Sequence, residues 1–487
     1  MKGFRSLLLG GIAGKALGVV REVQLAYFFG TSSEAAAYRI AQAATLVPVN
    51  FFTADALSSG FLPNYSRLHA ENLLRAYAFY RAINRLTLML SVAIAAGLAL
   101  VPTLLVSLLA PGVREDTARL AASMLVVMAV GVPFYVSTAL ASYLLMAHEQ
   151  FHLSSVRASV QSLGLIAGTT AAVWFNRPAF LAWGFTGAYI ALALASYIRV
   201  RPLRPAEFAR SDRQTMRALA RFWRTMRPML VVPVAFQGAY VVERVCSSWI
   251  SDTAVASVDY ARLVTDTAVV LAAGPLGMAV LVAHSKKRND ELRSELAALA
   301  ATCTVVLLPA AVLLLTLAEP LTKLLFERGE YDARSTDTTA AILAASGASL
   351  WAQVAGYVIV KSLSAQERTG TAGLVIGVSC LGSAATNLAL HNALGPTSLG
   401  LAVTVGALLL FGGGLLTNGI LIETAMLSAP AGRAALCAAG VHLVLTLGTD
   451  LPASAVGVAA CAACVVAVIG DKNGVLRLRH AVALVRG

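Results

Sequence analysis

Gly14-Lys15-Ala16-Leu17-Gly18-Val19-Val20-Arg21-Glu22 sets three formal charges inside an otherwise apolar run. With Leu7–Ala13 before it and Val23–Phe29 after it, the stretch is long enough to cross a bilayer as one helix, for which about 20 residues suffice. A charge at mid-bilayer costs about 2.5–3.5 kcal/mol on insertion scales. The helix is therefore expected to turn these side chains toward a polar cavity, and their positive excess suits an anionic ligand.

The rest of the chain places this helix in context. Of 487 residues, 58% are hydrophobic and 13% charged, against about 25% charged in soluble domains; the mean hydropathy is +0.73. Apolar runs of spanning length recur from end to end, without the ten-residue alternating segments of a barrel. An all-α polytopic membrane protein follows. The basic start, Lys2 and Arg5, leads into a run with no small-residue cleavage site, so a retained first helix is expected rather than a signal peptide. The net charge of +13 does not point to nucleic acid, because positive charge in membrane proteins collects in cytoplasmic loops. Cys246, Cys303, Cys380, Cys437, Cys461 and Cys464 all fall in apolar runs. The CxxC of Cys461 and Cys464 lacks a second pair or a nearby His, so no metal set is expected.

Fourteen spans are predicted, over 7–29, 36–62, 82–109, 118–146, 153–174, 179–198, 227–250, 255–283, 297–318, 337–362, 371–391, 398–422, 431–448 and 452–470. Loop charge tests the count. Arg67, Arg75, Arg81 and Arg85 follow span 2; Lys286, Lys287, Arg288 and Arg293 follow span 8; Lys472, Arg477, Arg479 and Arg486 lie in the tail. The segment between spans 6 and 7 carries nine arginines, at 199, 201, 204, 210, 213, 217, 221, 224 and 227, against Glu207 and Asp212. The alternate loops are weakly charged. This bias puts both termini in the cytoplasm and makes the arginine segment an anchor on anionic phospholipid headgroups.

An internal repeat divides the chain. Leu108-Leu109-Ala110-Pro111-Gly112, an acidic loop (Glu115, Asp116), a span and Met146-Ala147-His148-Glu149-Gln150 have a later counterpart. It is Leu324-Leu325-Phe326-Glu327-Arg328-Gly329, then Glu330 and Asp332, a span, and Ser364-Ala365-Gln366-Glu367-Arg368. Gly112 and Gly329 are 217 residues apart. The expected organisation is an N-lobe over 1–200 (spans 1–6), a basic cytoplasmic linker over 201–226 and a C-lobe over 227–425 (spans 7–12). An extra helix pair over 426–470 and a basic cytoplasmic tail over 471–487 complete it. Parallel halves around a central cavity are a common transporter plan.

Intramembrane cations are expected at Lys15, Arg21, Arg39, Arg244 and Arg262, in the first two spans of each half. Together they are candidates for substrate binding, because Arg offers a planar fork to phosphate oxygens and Lys a mobile point charge. For Arg39, near a span end, snorkelling to the interface is the alternative. Lys15 and Glu22, seven residues apart, share a helix face, so Glu22 can neutralise Lys15 or its neighbour Arg21. Asp55 is either a structural partner for a span 1 cation or part of a coupling-ion path. Glu243, Asp259 and Asp266 are candidates for internal ion pairs or coupling, and Asn387 with Glu243 for a cation site.

No Walker loop, HExxH or GxSxG appears, and no enzyme is expected. His148 and His152, four apart, lack a third ligand. The glycine run Phe411-Gly412-Gly413-Gly414 suits close helix contact or bending.

Several stretches resemble the MurJ (MviN) lipid II flippase family of the multidrug/oligosaccharidyl-lipid/polysaccharide exporter superfamily. They are Leu17-Gly18-Val19-Val20-Arg21-Glu22, Phe28-Phe29-Gly30, Phe61-Leu62-Pro63, Tyr260-Ala261-Arg262-Leu263 and Leu325-Phe326-Glu327-Arg328-Gly329-Glu330-Tyr331. The similarity covers roughly residues 1–425. It implies fourteen spans and movement of a polyprenyl-diphosphate-linked saccharide from the inner to the outer leaflet of a bacterial cytoplasmic membrane. Alternating access without ATP hydrolysis, and hence no cofactor beyond a coupling cation or the membrane potential, is also implied. Arg21 matches the family's span 1 arginine, Lys15 takes the place of a basic residue six positions earlier, and Arg262 matches the arginine of a YAxRL-like motif, one residue shorter here. The sequence departs from the family in span 2, where an acidic residue, a basic cluster with Asn, and Glu-Gly are usual. It reads Ala36-Ala37-Tyr38, Thr45-Leu46-Val47-Pro48-Val49-Asn50 and Ala54-Asp55. Lipid II and an exopolysaccharide repeat-unit precursor both remain as substrates, and a monomer is expected. A drug/cation antiporter of the same superfamily would want cavity acids instead. A membrane-embedded polyprenyl-linked glycosyltransferase or polymerase would want larger external loops.

Overall fold

The computed structural model describes residues 2–53, 55–205, 213–284, 289–366, 368–448, 451–471 and 475. Side chains are left aside at 2–10, 55–56, 272–284, 289–292 and a few isolated helical positions. Every regular element among these residues is helical. The chain divides into two compact units, one of residues 1–256 with 329–331, the other of 257–328 with 332–487.

In unit 1 the helices are α1 (Lys2–Phe29), α2 (Ser33–Thr53), α3 (Asp55–Glu71), α4 (Leu73–Leu100), α5 (Pro102–Leu109), α6 (Glu115–Ala147), α7 (His152–Trp174), α8 (Ala179–Val200), α9 (Arg213–Met229) and α10 (Val231–Ile250). Helix α11 (Asp252–His284) starts in this unit and continues in the other. Each span expected in this region is occupied by one helix or by two in succession. The single run expected over 82–109 is broken at Val101 (φ −129°, ψ 48°), with Pro102 opening α5, where a missing N–H costs nothing.

Close packing in a membrane needs small residues at the crossings, and α7 and α8 supply them. A Cβ added at Gly164 would lie 2.5 Å from Ala188 Cβ, and one at Gly168 only 2.8 Å from Gly184 Cα. On the face expected in the cytoplasm, α9 buries Ala218, Phe222 and Met226 while Arg213, Arg217, Arg221, Arg224 and Arg227 stay exposed. Phe222 fills the notch left by Gly60, where a Cβ would come within 2.9 Å of its ring, and meets Phe79 edge-on at 6.3 Å between centroids.

Two backbone contacts in unit 1 involve the repeat-related glycines. Gly112, in the loop after α5, lies against the end of α10; a Cβ there would fall 2.4 Å from Ser248 O, and its N–H donates to Ser248 Oγ at 3.2 Å. The Asp252 carboxylate then accepts from Thr117 Oγ1 at 2.7 Å and supplies the start of α6 with an acceptor that Arg114, at its N-cap, does not provide. Gly329 (φ +62°) lies against the end of α1, where a Cβ would fall 2.2 Å from Tyr27 O. The Glu330 N–H donates to that same carbonyl at 2.9 Å.

Unit 2 contains α12 (Asn289–Thr316), α13 (Ala318–Phe326), α14 (Ala333–Gly347), α15 (Leu350–Ala365), α16 (Thr369–Leu394), α17 (Pro396–Asn418), α18 (Leu421–Leu427), α19 (Ala429–Gly448) and α20 (Ala453–Gly470). The sequence repeat has a structural counterpart: α12 and α13 break at Leu317 as α4 and α5 do at Val101. Asp332 caps α14, accepting from Ser335 N at 2.8 Å and Ser335 Oγ at 2.6 Å. These hydrogen bonds hold its carboxyl below the usual carboxylate range. In the glycine run of α17, Gly414 lies against Ile359 and Gly413 against Val375, while Gly412 faces open space. Six described helices are long and apolar enough to cross a membrane, or nine if three bent pairs each count as one span. The chain is a multi-pass membrane protein.

Candidate functional site

The charges of the first helix meet a partner from the second. Glu22 is 2% exposed and Arg39 4%. Arg39 donates to both carboxylate oxygens of Glu22, one bond through Nη2 to Oε2 and the other through Nη1 to Oε1 at 3.4 Å. Arg21 Nε donates to the same Oε1 at 3.0 Å. One carboxylate thus serves two guanidinium groups and the trio keeps a formal charge of +1. Arg39 is held inside this pair, buried in protein. Arg21 keeps a quarter of its side chain exposed, and Lys15, half-buried, lies six residues earlier on α1. Gln24 Nε2 donates to Thr170 Oγ1 on α7 at 3.0 Å, tying the polar side of α1 to its neighbour.

Arg244 on α10 is 1% exposed. Its Nη1 donates to Val255 O at 2.9 Å, and its Cζ lies 4.9 Å from the Tyr240 ring centroid. It fastens α10 to the first turn of α11, a packing role that the sequence did not suggest. Glu243 beside it is 6% exposed. In unit 2, Arg262 and Asp259 on α11 are half-buried and Asp266 is exposed. Tyr260, between them, is fully buried against Phe326, with 5.2 Å between ring centroids. Asn387 on α16 is 2% exposed and its Oδ1 has no hydrogen-bond partner among the described residues. Asp55 begins α3, but its side chain lies outside those described.

A second polar group in unit 1 escaped the reading of the sequence. Tyr135 on α6 donates its hydroxyl to Asn50 Oδ1 on α2 at 3.1 Å. Its ring carries the Arg157 guanidinium of α7, Cζ 4.8 Å from the centroid. Tyr189 stands beside it, 4.8 Å between centroids, and its hydroxyl accepts from Gln161 Nε2. Arg157 sits only four residues inside span 5, where a cation passes for an ordinary helix-end residue.

At the end expected in the cytoplasm, the Tyr65 hydroxyl shares a 2.9 Å hydrogen bond with His148 Nε2, and the rings of His148 and His69 meet edge-on at 4.8 Å. Burial, and then the neighbouring His69, push the His148 pKa below its ordinary 6.5. Above that value folded and unfolded chains are both neutral here; below it the unfolded chain takes up the proton first, so stability falls as pH falls. The melting temperature is expected to drop between pH 7.5 and 5.5, and by less in His148→Gln. Equal drops in the two proteins would reject the cluster as the source.

The backbone arrangement is similar to those of solved multi-pass transporters. The inward closed conformation of lipid II flippase MurJ superposes over 94% of this chain and 98% of that one, with TM-score 0.79 and 20% identity. An inward-facing multidrug resistance MATE transporter of the MOP superfamily matches over 85% and 96%, with TM-score 0.68 and 12% identity. At the sequence level, the lipid II flippase MurJ family model matches residues 25–447, and the chain belongs to that family, whose members are transporters rather than enzymes. A probable lipid II flippase MurJ of Rhizobium meliloti (strain 1021) is 26% identical over 427 residues, covering 82% of this chain and 78% of the relative.

Proposed function

We propose that the chain flips a polyprenyl-diphosphate-linked saccharide across the bacterial cytoplasmic membrane by alternating access of its two halves. The observation that carries this is the first helix: one carboxylate serves Arg21 and Arg39 together, which leaves net positive charge beside a partly exposed guanidinium within an apolar run. Such a group suits a diphosphate, because a bidentate fork and a preserved charge are what phosphate oxygens select. Arg21, Lys15 and, from unit 2, Arg262 are the proposed contacts; Arg39 and Arg244 hold the helices that present them. Glu243, Asp259, Asp266 and Asn387 are proposed for coupling to a cation or to the membrane potential. The protein acts as a monomer with both termini in the cytoplasm, and the exposed arginines of α9 rest on anionic phospholipid.

Arg21→Ala and Arg262→Ala are expected to abolish glycan export, by 100-fold or more on the order of two lost charge-assisted bonds, at unchanged membrane levels. Normal export by both variants would overturn the cationic site. Depletion separates the substrates: lysis identifies lipid II, the substrate named for the family, whereas loss of surface polysaccharide alone identifies an exopolysaccharide precursor.

A further inference from the structure

We propose that Arg157 is a further substrate-binding residue, a cation that grips phosphate oxygens at the same level of the wall as Lys15. Gly14 of α1 packs on Ala158 of α7, where an added Cβ would come 2.8 Å from Ala158 Cβ. The sequence neighbours of that contact are Lys15 and Arg157, so the two helices bring two cations to one level. Arg157 is half-buried and has no carboxylate within ion-pair distance among the described residues, unlike Arg21 and Arg39. What holds it is the face of the Tyr135 ring, fixed in turn by the hydroxyl bond to Asn50, together with hydrogen bonds to the Tyr135 and Tyr189 hydroxyls.

That mode of support matters chemically. A ring face satisfies the plane of a guanidinium through its quadrupole. The five N–H donors radiate in the plane itself; the Tyr135 and Tyr189 hydroxyls take part of them, and an oxyanion can meet the others. Two cations at one level of a low-dielectric wall repel each other, and an anion between them removes the penalty. A phosphate fits this role better than a carboxylate-bearing drug, since its oxygens can take the fork and the Lys15 ammonium together. The inference rests on the flippase reading for the identity of the anion.

The test uses the full-length protein in detergent, with inorganic diphosphate as the probe in calorimetric titrations. Arg157→Ala is expected to weaken diphosphate binding by roughly tenfold or more, the size of one charge-assisted hydrogen bond. Arg157→Lys, keeping the charge but not the fork, is expected to recover part of the loss. Should Arg157→Ala fail to accumulate, Arg157→Met keeps an apolar stem on Tyr135 and gives the same reading. Arg21→Ala serves as the comparator. If it weakens binding while Arg157→Ala stays within twofold of the parent, the Arg157 assignment is overturned alone. If neither variant changes the affinity, the diphosphate reading of the first helix falls with it.

Discussion

Glu22→Gln is expected to cost about 3–5 kcal/mol of stability, the usual result of removing one partner from a buried ion pair. The expectation is at the upper end because the carboxylate serves two cations: Arg39, 4% exposed, and Arg21, bonded to the same oxygen. Gln keeps the shape and one acceptor oxygen but leaves both guanidinium groups without its countercharge. Thermal unfolding of the purified protein reads the loss, and an unchanged melting temperature would reject the shared-carboxylate arrangement. The double variant Glu22→Gln/Arg39→Met is expected to recover much of it, because a buried pair replaced by an apolar group of similar size is often near neutral. Its failure to recover would assign the loss to packing rather than charge.

Gly329→Ala is expected to be nearly as damaging, for a different reason. The residue holds φ +62°, which costs an L-residue about 1–2 kcal/mol. Its Cβ would also fall 2.2 Å from Tyr27 O, and forced overpacking adds about 1–3 kcal/mol. Main chain stands on both sides of the contact, so no side-chain rotation relieves it. The loop must leave the end of α1, breaking the bond from Glu330 N–H to Tyr27 O. Hydrogen exchange at the Glu330 amide is the direct readout, with acceleration by tenfold or more expected. Unchanged protection would mean that the loop does not need glycine there.

Much of this architecture is visible in the sequence because bilayer crossing demands long apolar runs, and those runs coincide with helices along the chain. Breaks within a run are harder to see. Nothing in the hydropathy of 82–109 marks Val101, and Pro102 is the only local sign. A charge deep in an apolar run is plain in the sequence, but pairing is a tertiary property: Glu22 lies beside Arg21 in sequence, yet also takes Arg39 from another helix. Arg157 does not stand out in the sequence, because cations near span ends are common and carry no signal of their own. The stretch Thr45–Asn50 of α2, whose Asn50 bonds Tyr135, brings no cation; the guanidinium on Tyr135 comes from α7, which no local pattern in α2 announces.

The clasp of residues 329–331 on α1 has a consequence for biosynthesis. Unit 1 is closed by a tripeptide that the ribosome makes only after residues 257–328. At about 5–20 residues per second, roughly 4–15 s separate Ala256 from Gly329. Throughout that interval the Tyr27 carbonyl at the end of α1 waits for a chain segment not yet translated. Unit 1 is therefore completed only after much of unit 2 has been made, and a truncation anywhere before Gly329 leaves the end of α1 without this contact.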